Sequence, residues 1–496
     1  MHKIFSFILV AILTSSQMMA NNIQINNVSL ASQNTAQDFY MIQFDLSWDN
    51  SWRTSTLESN WDAAWVFVKY TIKDQQDWQH ADLHYVNGTN DGHLVPGNAT
   101  IRTMNNNYGS TQNGVGVMIY RSTDGIGAIS FPSVQLRWDY GDNGLGDDDI
   151  IEISVHAIEM VYVPQGSFFA GDGQRDFGQF EAGNSGEPFQ INSEAALTLG
   201  GTNVNNLSNN DAVNMLNDDD FDYSTTRTLP AAFPKGYNAF YCMKYETSQE
   251  QYASFLTHLT SDQRNPRSGP FYVNATNVFP IRDGNYWAEA DFPQRPMHYI
   301  SWADMATYLD WAGLRPMSEL EFEKACRGPR PGVNNEFAWG NASWYIPGGY
   351  YTMDGTGPDE MITAGIAENA GNANTTSIYS GATTPVRCGI FAASAVNKTR
   401  QETGATYWGI MEMTGNCYEL VISVGNSSSR DFGGSHGDGS LQASGNASFF
   451  LLSDWAFVSG IGIGFRNSEV STRYGGNYNQ DTRQLWHGIR GVRSAN

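Results

Sequence analysis

Residues 407–420 read Tyr407-Trp-Gly-Ile-Met-Glu412-Met-Thr-Gly415-Asn416-Cys417-Tyr-Glu419-Leu420, and the fold of the whole chain turns on them. Two carboxylates seven residues apart, Glu412 and Glu419, flank a Gly415-Asn416 pair. Glycine accepts positive φ and asparagine tolerates it, so this pair lets the backbone fold back at low steric cost. Such a turn points carbonyl oxygens inward, where Glu412 and Glu419 can join them around a hard cation such as Ca²⁺. The alternative is a buried turn carrying two solvated glutamates, since acids are rarely buried without partners. The rest of the chain decides between them.

With 496 residues the chain exceeds one ordinary core, and two domains are expected. Its 41% hydrophobic and 13% aromatic content describes a well-packed globular protein. The charge balance is lopsided, 28 basic against 51 acidic residues for a net −23. That argues against nucleic acid or an anionic membrane surface as partner, because both need a basic face. The first 20 residues read as a secretory signal peptide: Met1-His2-Lys3, an apolar run over residues 4–13, and a small or polar tail ending at Ala20. The run is too short to span a bilayer, no later segment approaches the length, and no cysteine follows it to carry a lipid anchor. A soluble, secreted or periplasmic protein is expected. Cys242, Cys326, Cys388 and Cys417 form no C-x-x-C pair, and one or two disulfides in any of three connectivities are open.

Residues 21–157 carry short aromatic and β-branched runs split by Gly, Asn and Asp clusters, the pattern of an antiparallel β-sandwich of immunoglobulin-like size. Within it His80 and His84 read as surface residues rather than metal ligands, and Asp147-Asp148-Asp149 as a solvated turn. The second domain, residues 158–496, opens at MVYVPQGSFFAGD and is interrupted by a polar insertion at about 173–235, expected as surface loop, including Asn217-Asp218-Asp219-Asp220. Helices are expected over 245–256, 301–312 and 318–327, the last opened by a Ser318/Glu321 capping box. Beyond Arg327 the chain reads as loops and short strands, which bound cations would help to hold. The fold class is α+β.

Five stretches in one order resemble formylglycine-generating (sulfatase-modifying factor) domains: MVYVPQGSFFAGD at 160–172, KYETSQEQYASFL at 244–256, RPMHYISWADMATYLDWAGLRPMSELEFEKACRGP at 295–329, WGIMEMTGNCYEL at 408–420 and GIRGVRSA at 488–495. The resemblance implies an irregular domain related to C-type lectins, poor in regular structure and stabilised by calcium. It places calcium ligands at Glu412, Gly415, Cys417 and Glu419, the middle two through their carbonyls, and a second calcium at Asn374. The family's activity, oxidation of a substrate cysteine to formylglycine with copper(I) and O₂, uses two cysteines in the C-terminal part. Copper(I) needs thiolates, yet residues 464–496 contain no cysteine. That activity is therefore not expected here. Nor do the histidines form the cluster of the related iron-dependent C–S bond-forming enzymes, although His436 and His487 fall near the expected groove.

Three functions follow from this reading. The first is an exported, non-catalytic protein using a calcium-stabilised scaffold to recognise a protein, peptide or carbohydrate. Residues 472–486 are rich in Tyr, Asn and Arg, types that make adaptable contacts, so the ligand candidates are His436, Tyr474, Asn477, Tyr478, Arg483, Trp486 and His487. An ordinary closing loop is the alternative for that segment. The second function is a metal-dependent oxidoreductase of the non-haem iron type. The third is a structural or assembly component of the cell envelope or secretion machinery.

Overall fold

The structure is a computed structural model. It describes residues 22–75, 77–105, 113–174, 178–210, 219–267, 292–344, 351–353, 360–375, 385–448, 457–458, 469–473, 482–484 and 487–495. The signal-peptide reading and the candidates Tyr474, Asn477, Tyr478 and Trp486 lie outside these residues, as do Asn217 and Asp218. The chain divides into two compact units: residues 1–53, 63–158 and 258–260 form the first, and residues 54–62, 159–257 and 261–496 the second.

The first unit is built from β1 (Gln24–Asn34), β2 (Phe39–Arg53), β3 (Asp62–Ile72), β4 (Gln79–His80), β5 (Ala99–Asn105), β6 (Gly114–Arg121), β7 (Gly125–Trp138) and the first half of β8 (Ile151–Val163). One sheet runs β1-β2-β7, the other β8-β3-β6-β5 with β4 on β3. Side chains alternate along a strand, so Tyr40, Ile42, Phe44, Leu46 and Trp48 of β2 share one face. They join Ala64, Val66 and Val68 of β3, Val117 and Ile119 of β6, and Val134, Leu136 and Trp138 of β7 in one hydrophobic cluster. The two sheets therefore share a core. Leu83 links their edges, bridging both Gly114 and Trp138.

Two readings in this unit are corrected. His80 is buried, not on the surface, with Nδ1 3.0 Å from Lys69 Nζ and Nε2 2.6 Å from the Val115 carbonyl oxygen. His84 is half-buried against Asp139, 2.6 Å away.

In the second unit β8 continues and pairs with β15 (Phe240–Met243) in a sheet of order β16-β23-β15-β8. Before β15 come β9 (Phe168–Ala170), β10 (Phe180–Ala182), β11 (Phe189–Ile191), β12 (Leu197–Leu199), β13 (Leu207–Asn209) and β14 (Arg227–Leu229). The insertion is thus not a surface loop. Its strands form a sheet of order β10-β13-β12-β14, with Phe180, Leu199, Leu207, Phe221 and Leu229 buried. Strands only three residues long, set among Gly and Asn, give no period long enough to read.

Helices α1 (Gln249–Thr257), α2 (Ser261–Arg264), α3 (Trp302–Trp311) and α4 (Glu319–Arg327) follow, with β16 (Arg315–Pro316) between the last two. Ser318 and Glu321 close the expected capping box on α4, and Ser301 and Asp304 close another on α3. α1 starts later than expected because Ser248 is its cap: Ser248 Oγ accepts from Gln251 N, and the Gln251 side chain accepts from Ser248 N. The remaining elements are short: β17 (Thr352–Met353), β18 (Ile362–Ala364), α5 (Ile390–Ser394), α6 (Arg400–Thr403), β19 (Tyr418–Glu419), β20 (Val421–Ile422), α7 (Ser427–Arg430), β21 (Phe457–Val458), β22 (His487–Gly488) and β23 (Gly491–Ser494). Among the described residues no helix is long and apolar enough to cross a membrane.

Candidate functional site

Residues 407–420 sit where four distant segments meet. Tyr407 lies over Gly328 at the end of α4, and Trp408 Nε1 donates to the Lys324 carbonyl oxygen at 2.9 Å. The turn is left-handed where the sequence required it, with φ of +83° at Gly415 and +68° at Asn416. A Cβ on Gly415 would lie 2.6 Å from the Asn374 carbonyl oxygen, so only glycine fits. That same carbonyl accepts from Asn416 N at 2.7 Å. Asn374 therefore abuts the first candidate calcium turn.

The two glutamates are not solvated. Glu412 is 4% and Glu419 1% exposed. Glu419 Oε1 accepts from Arg490 Nε at 2.9 Å, and Arg490 also donates to the carbonyl oxygens of Met243 and Met411, each at 2.9 Å. Glu412 Oε1 accepts from Gly389 N at 2.8 Å. A third buried carboxylate, Glu246, fixes the turn from below: its oxygens accept from Asn416 Nδ2 at 2.7 Å and Cys417 N at 2.8 Å. Sequence reading took Glu246 only as part of a helix opening. Its signal was a lone acid inside the apolar run FYCMKYE.

The electrostatics are unbalanced. Glu246, Glu412 and Glu419 all face the guanidinium of Arg490, and Glu412 also feels that of Arg387. Burial pushes Glu412 up to about 8, with the neighbouring Glu246 adding to the effect. Glu246 and Glu419 are raised too, because burial outweighs the pull of Arg490 on each. Glu412 Oε2 and Glu419 Oε2 are buried and have no hydrogen-bond partner. Among the described residues these are the two buried carboxylate oxygens so placed. Unsatisfied buried oxygens beside excess negative charge are the chemistry a hard cation meets. Among the described residues no three His, Cys, Asp or Glu side chains are placed to hold a metal, so backbone carbonyls would have to complete a shell.

The other candidates are accounted for structurally. His436 Nε2 accepts from Ser494 N at 2.9 Å, and burial with Arg493 and Arg315 nearby holds its imidazole neutral. His487 is buried in β22 beside Tyr418, and burial lowers it to about 4. Arg483 grips Asp304, the capping acid of α3, through Nε at 2.7 Å and Nη2 at 2.9 Å. Asp219, expected in a solvated loop, is paired with Arg473 at 2.6 Å, and Arg473 also binds Glu319 at 2.8 Å. All four cysteines are buried free thiols. Burial pushes Cys242 up to about 12 and the other three well above the ordinary thiol range.

Comparison with known proteins agrees with the resemblance. The model of the sulfatase-modifying factor enzyme 1-like domain matches residues 154–495, and the chain belongs to that family. It is 28% identical over 123 residues to the formylglycine-generating enzyme of Thermomonospora curvata, covering 20% of this chain and 40% of that protein. Over 50 residues it is 44% identical to the formylglycine-generating enzyme of Bos taurus, covering 10% of this chain and 13% of that protein. The matches thus span less than half the length of either relative.

Proposed function

We propose that the chain is an exported, non-catalytic member of its family, whose calcium-stabilised, C-type-lectin-related scaffold serves to recognise a protein, peptide or carbohydrate partner. The observation that carries the calcium reading is the pair of unpartnered oxygens, Glu412 Oε2 and Glu419 Oε2, on two of three neighbouring buried carboxylates. A bound Ca²⁺ would offset negative charge there, with the Gly415 and Cys417 carbonyls as its backbone ligands. The non-catalytic reading is supported by the thiols. No cysteine follows Cys417 in the sequence, and all four are buried. Thiolate, not thiol, is the nucleophile and soft-metal ligand. The export reading rests on residues 1–20. The two antiparallel sheets with a common core support a β-sandwich for the first unit.

The test is thermal unfolding in calcium and in chelator, with terbium luminescence as the direct readout of binding. Calcium at a hundred times its Kd stabilises by about 2.7 kcal/mol, which for a domain this large is a melting shift of about 5 °C. Glu412→Gln should remove most of that shift and weaken terbium binding at least tenfold. A wild-type melting temperature indifferent to calcium would end the calcium reading. Conversion of a cysteine peptide to formylglycine in the presence of copper(I) would end the non-catalytic one.

A further inference from the structure

The first unit holds an ionisable cluster that the calcium turn does not involve. Five rings form a column. Trp78 meets His258 edge-on at 4.5 Å, and His258 meets His156 edge-on at 4.7 Å. His156 stacks on Phe67 at 5.1 Å, and Phe67 is flanked in turn by His80 at 6.1 Å. The three histidines are 9% exposed or less. His258 belongs to residues 258–260, a short segment counted with the first unit, whereas the chain on either side of it is not.

The hydrogen bonds set the charge states. His80 Nε2, 2.6 Å from the Val115 carbonyl oxygen, must donate, so His80 Nδ1 accepts from the Lys69 ammonium at 3.0 Å. His80 is therefore a neutral imidazole beside a buried cation. Lys69 Nζ also lies 5.7 Å from the Phe67 ring centroid. Ser154 Oγ is 3.1 Å from His156 Nε2. The ionisable groups acting on His156 come from β3 (Lys69), β4 (His80) and the 258–260 segment (His258). All are bases. A proton on His156 would be buried near the Lys69 cation and two further bases, with no acid among them to offset it.

We propose that this column is an acid-responsive latch: proton uptake at the His156–His258 contact releases residues 258–260 from the core of the first unit. The sign follows from linkage. Burial holds His156 below the ordinary histidine range, and the three bases lower it further. Its neutral packing therefore stabilises fully above about pH 6.5, the unfolded value, and that stability is lost as pH falls below it.

Hydrogen exchange of the full chain, read as protection factors so that intrinsic rates cancel, tests the latch at pH 7.5 and 5.0. Wild-type peptides spanning 66–70 and 258–260 should lose protection at least tenfold on acidification. His156→Phe keeps a ring in the column without a titrating nitrogen, and its loss should be under threefold. Lys69→Met removes a neighbouring charge and should shrink the wild-type loss without abolishing it. Protection in the wild type that does not change with pH overturns the proposal, whether or not either variant folds. So does an undiminished loss in His156→Phe or in Lys69→Met.

Discussion

Replacing Arg490 by methionine probes the candidate calcium turn at its hub. The guanidinium is fully buried and donates to Glu419 and to the carbonyl oxygens of Met243 and Met411, each at 2.9 Å. Methionine fills comparable space with a flexible apolar chain but offers no donor. Removing one partner of a buried ion pair costs about 3–5 kcal/mol, because the other charge is left uncompensated. Each orphaned carbonyl adds roughly 1–3 kcal/mol. These costs do not simply add, since Glu419 has an escape: it can take up a proton. Burial has already raised it, and losing Arg490 raises it further.

The escape makes the penalty pH-dependent. In chelator at pH 6 the variant pays mainly for lost donors, on the order of 3 kcal/mol. Wild-type Glu419 is itself raised to about 8, so the two proteins lose stability in parallel up to that pH; above it the wild type releases the proton that the variant keeps, and the deficit widens by up to about 1.4 kcal/mol per pH unit. Urea unfolding at pH 6.0 and 9.5 measures both terms. Combining Arg490→Met with Glu419→Gln should recover about 2–4 kcal/mol of the summed single penalties, a coupling expected of a buried pair. A deficit identical at the two pH values, with coupling below about 0.5 kcal/mol, would refute the claim that Arg490 neutralises this carboxylate.

Three further outcomes are expected. Gly415→Ala forces a side chain into a backbone at φ +83° and against the Asn374 carbonyl oxygen; the strain and the lost Asn416–Asn374 bond should cost about 2–3 kcal/mol in urea unfolding, and a cost below about 0.5 kcal/mol would show that the turn relaxes freely. Without calcium, Glu412 at about 8 favours the folded state when protonated, so stability should fall as pH rises from about 4.5 towards 8; melting in chelator should show this slope, and Glu412→Gln should flatten it. The four buried thiols should react with a disulfide reagent only on unfolding, and rapid modification of any of them in the native protein would contradict their placement.

What the sequence disclosed was local. The Ser318/Glu321 capping box and the Gly415-Asn416 turn depend on residues within a few positions, and both appear where they were read. Polar residues whose partners lie far away were misread. Asp219 pairs with Arg473, 254 residues on, and Arg483 with Asp304, 179 residues back. No window of sequence contains both members, so each looked solvated or available. The insertion failed for a different reason, because strands of three residues carry too little alternation to stand out from loop composition.

The distribution of buried charge is what singles out the Glu412–Glu419 turn as the proposed cation site. Elsewhere in the second unit buried or half-buried arginines pair with acids both near and far in sequence: Arg315 with Glu321, Arg327 with Glu323 and Glu336, Arg473 with Asp219 and Glu319, and both Arg267 and Arg483 with Asp304. Such pairs fix how loops meet more than they stabilise, because desolvation offsets much of their attraction. None of these carboxylates contributes a buried oxygen that lacks a partner. At the turn Glu246, Glu412 and Glu419 all lean on Arg490, with Arg387 acting on Glu412 as well, and the two unpartnered oxygens fall on Glu412 and Glu419. Among the described residues Glu412 Oε2 and Glu419 Oε2 are the buried carboxylate oxygens without a hydrogen-bond partner, both beside one glycine-dependent turn, and the proposed calcium rests on that pair. A cation bound there would join segments 243–246, 386–389, 411–419 and 488–490, while the thiols beside it, Cys388 and Cys417, are buried and held protonated.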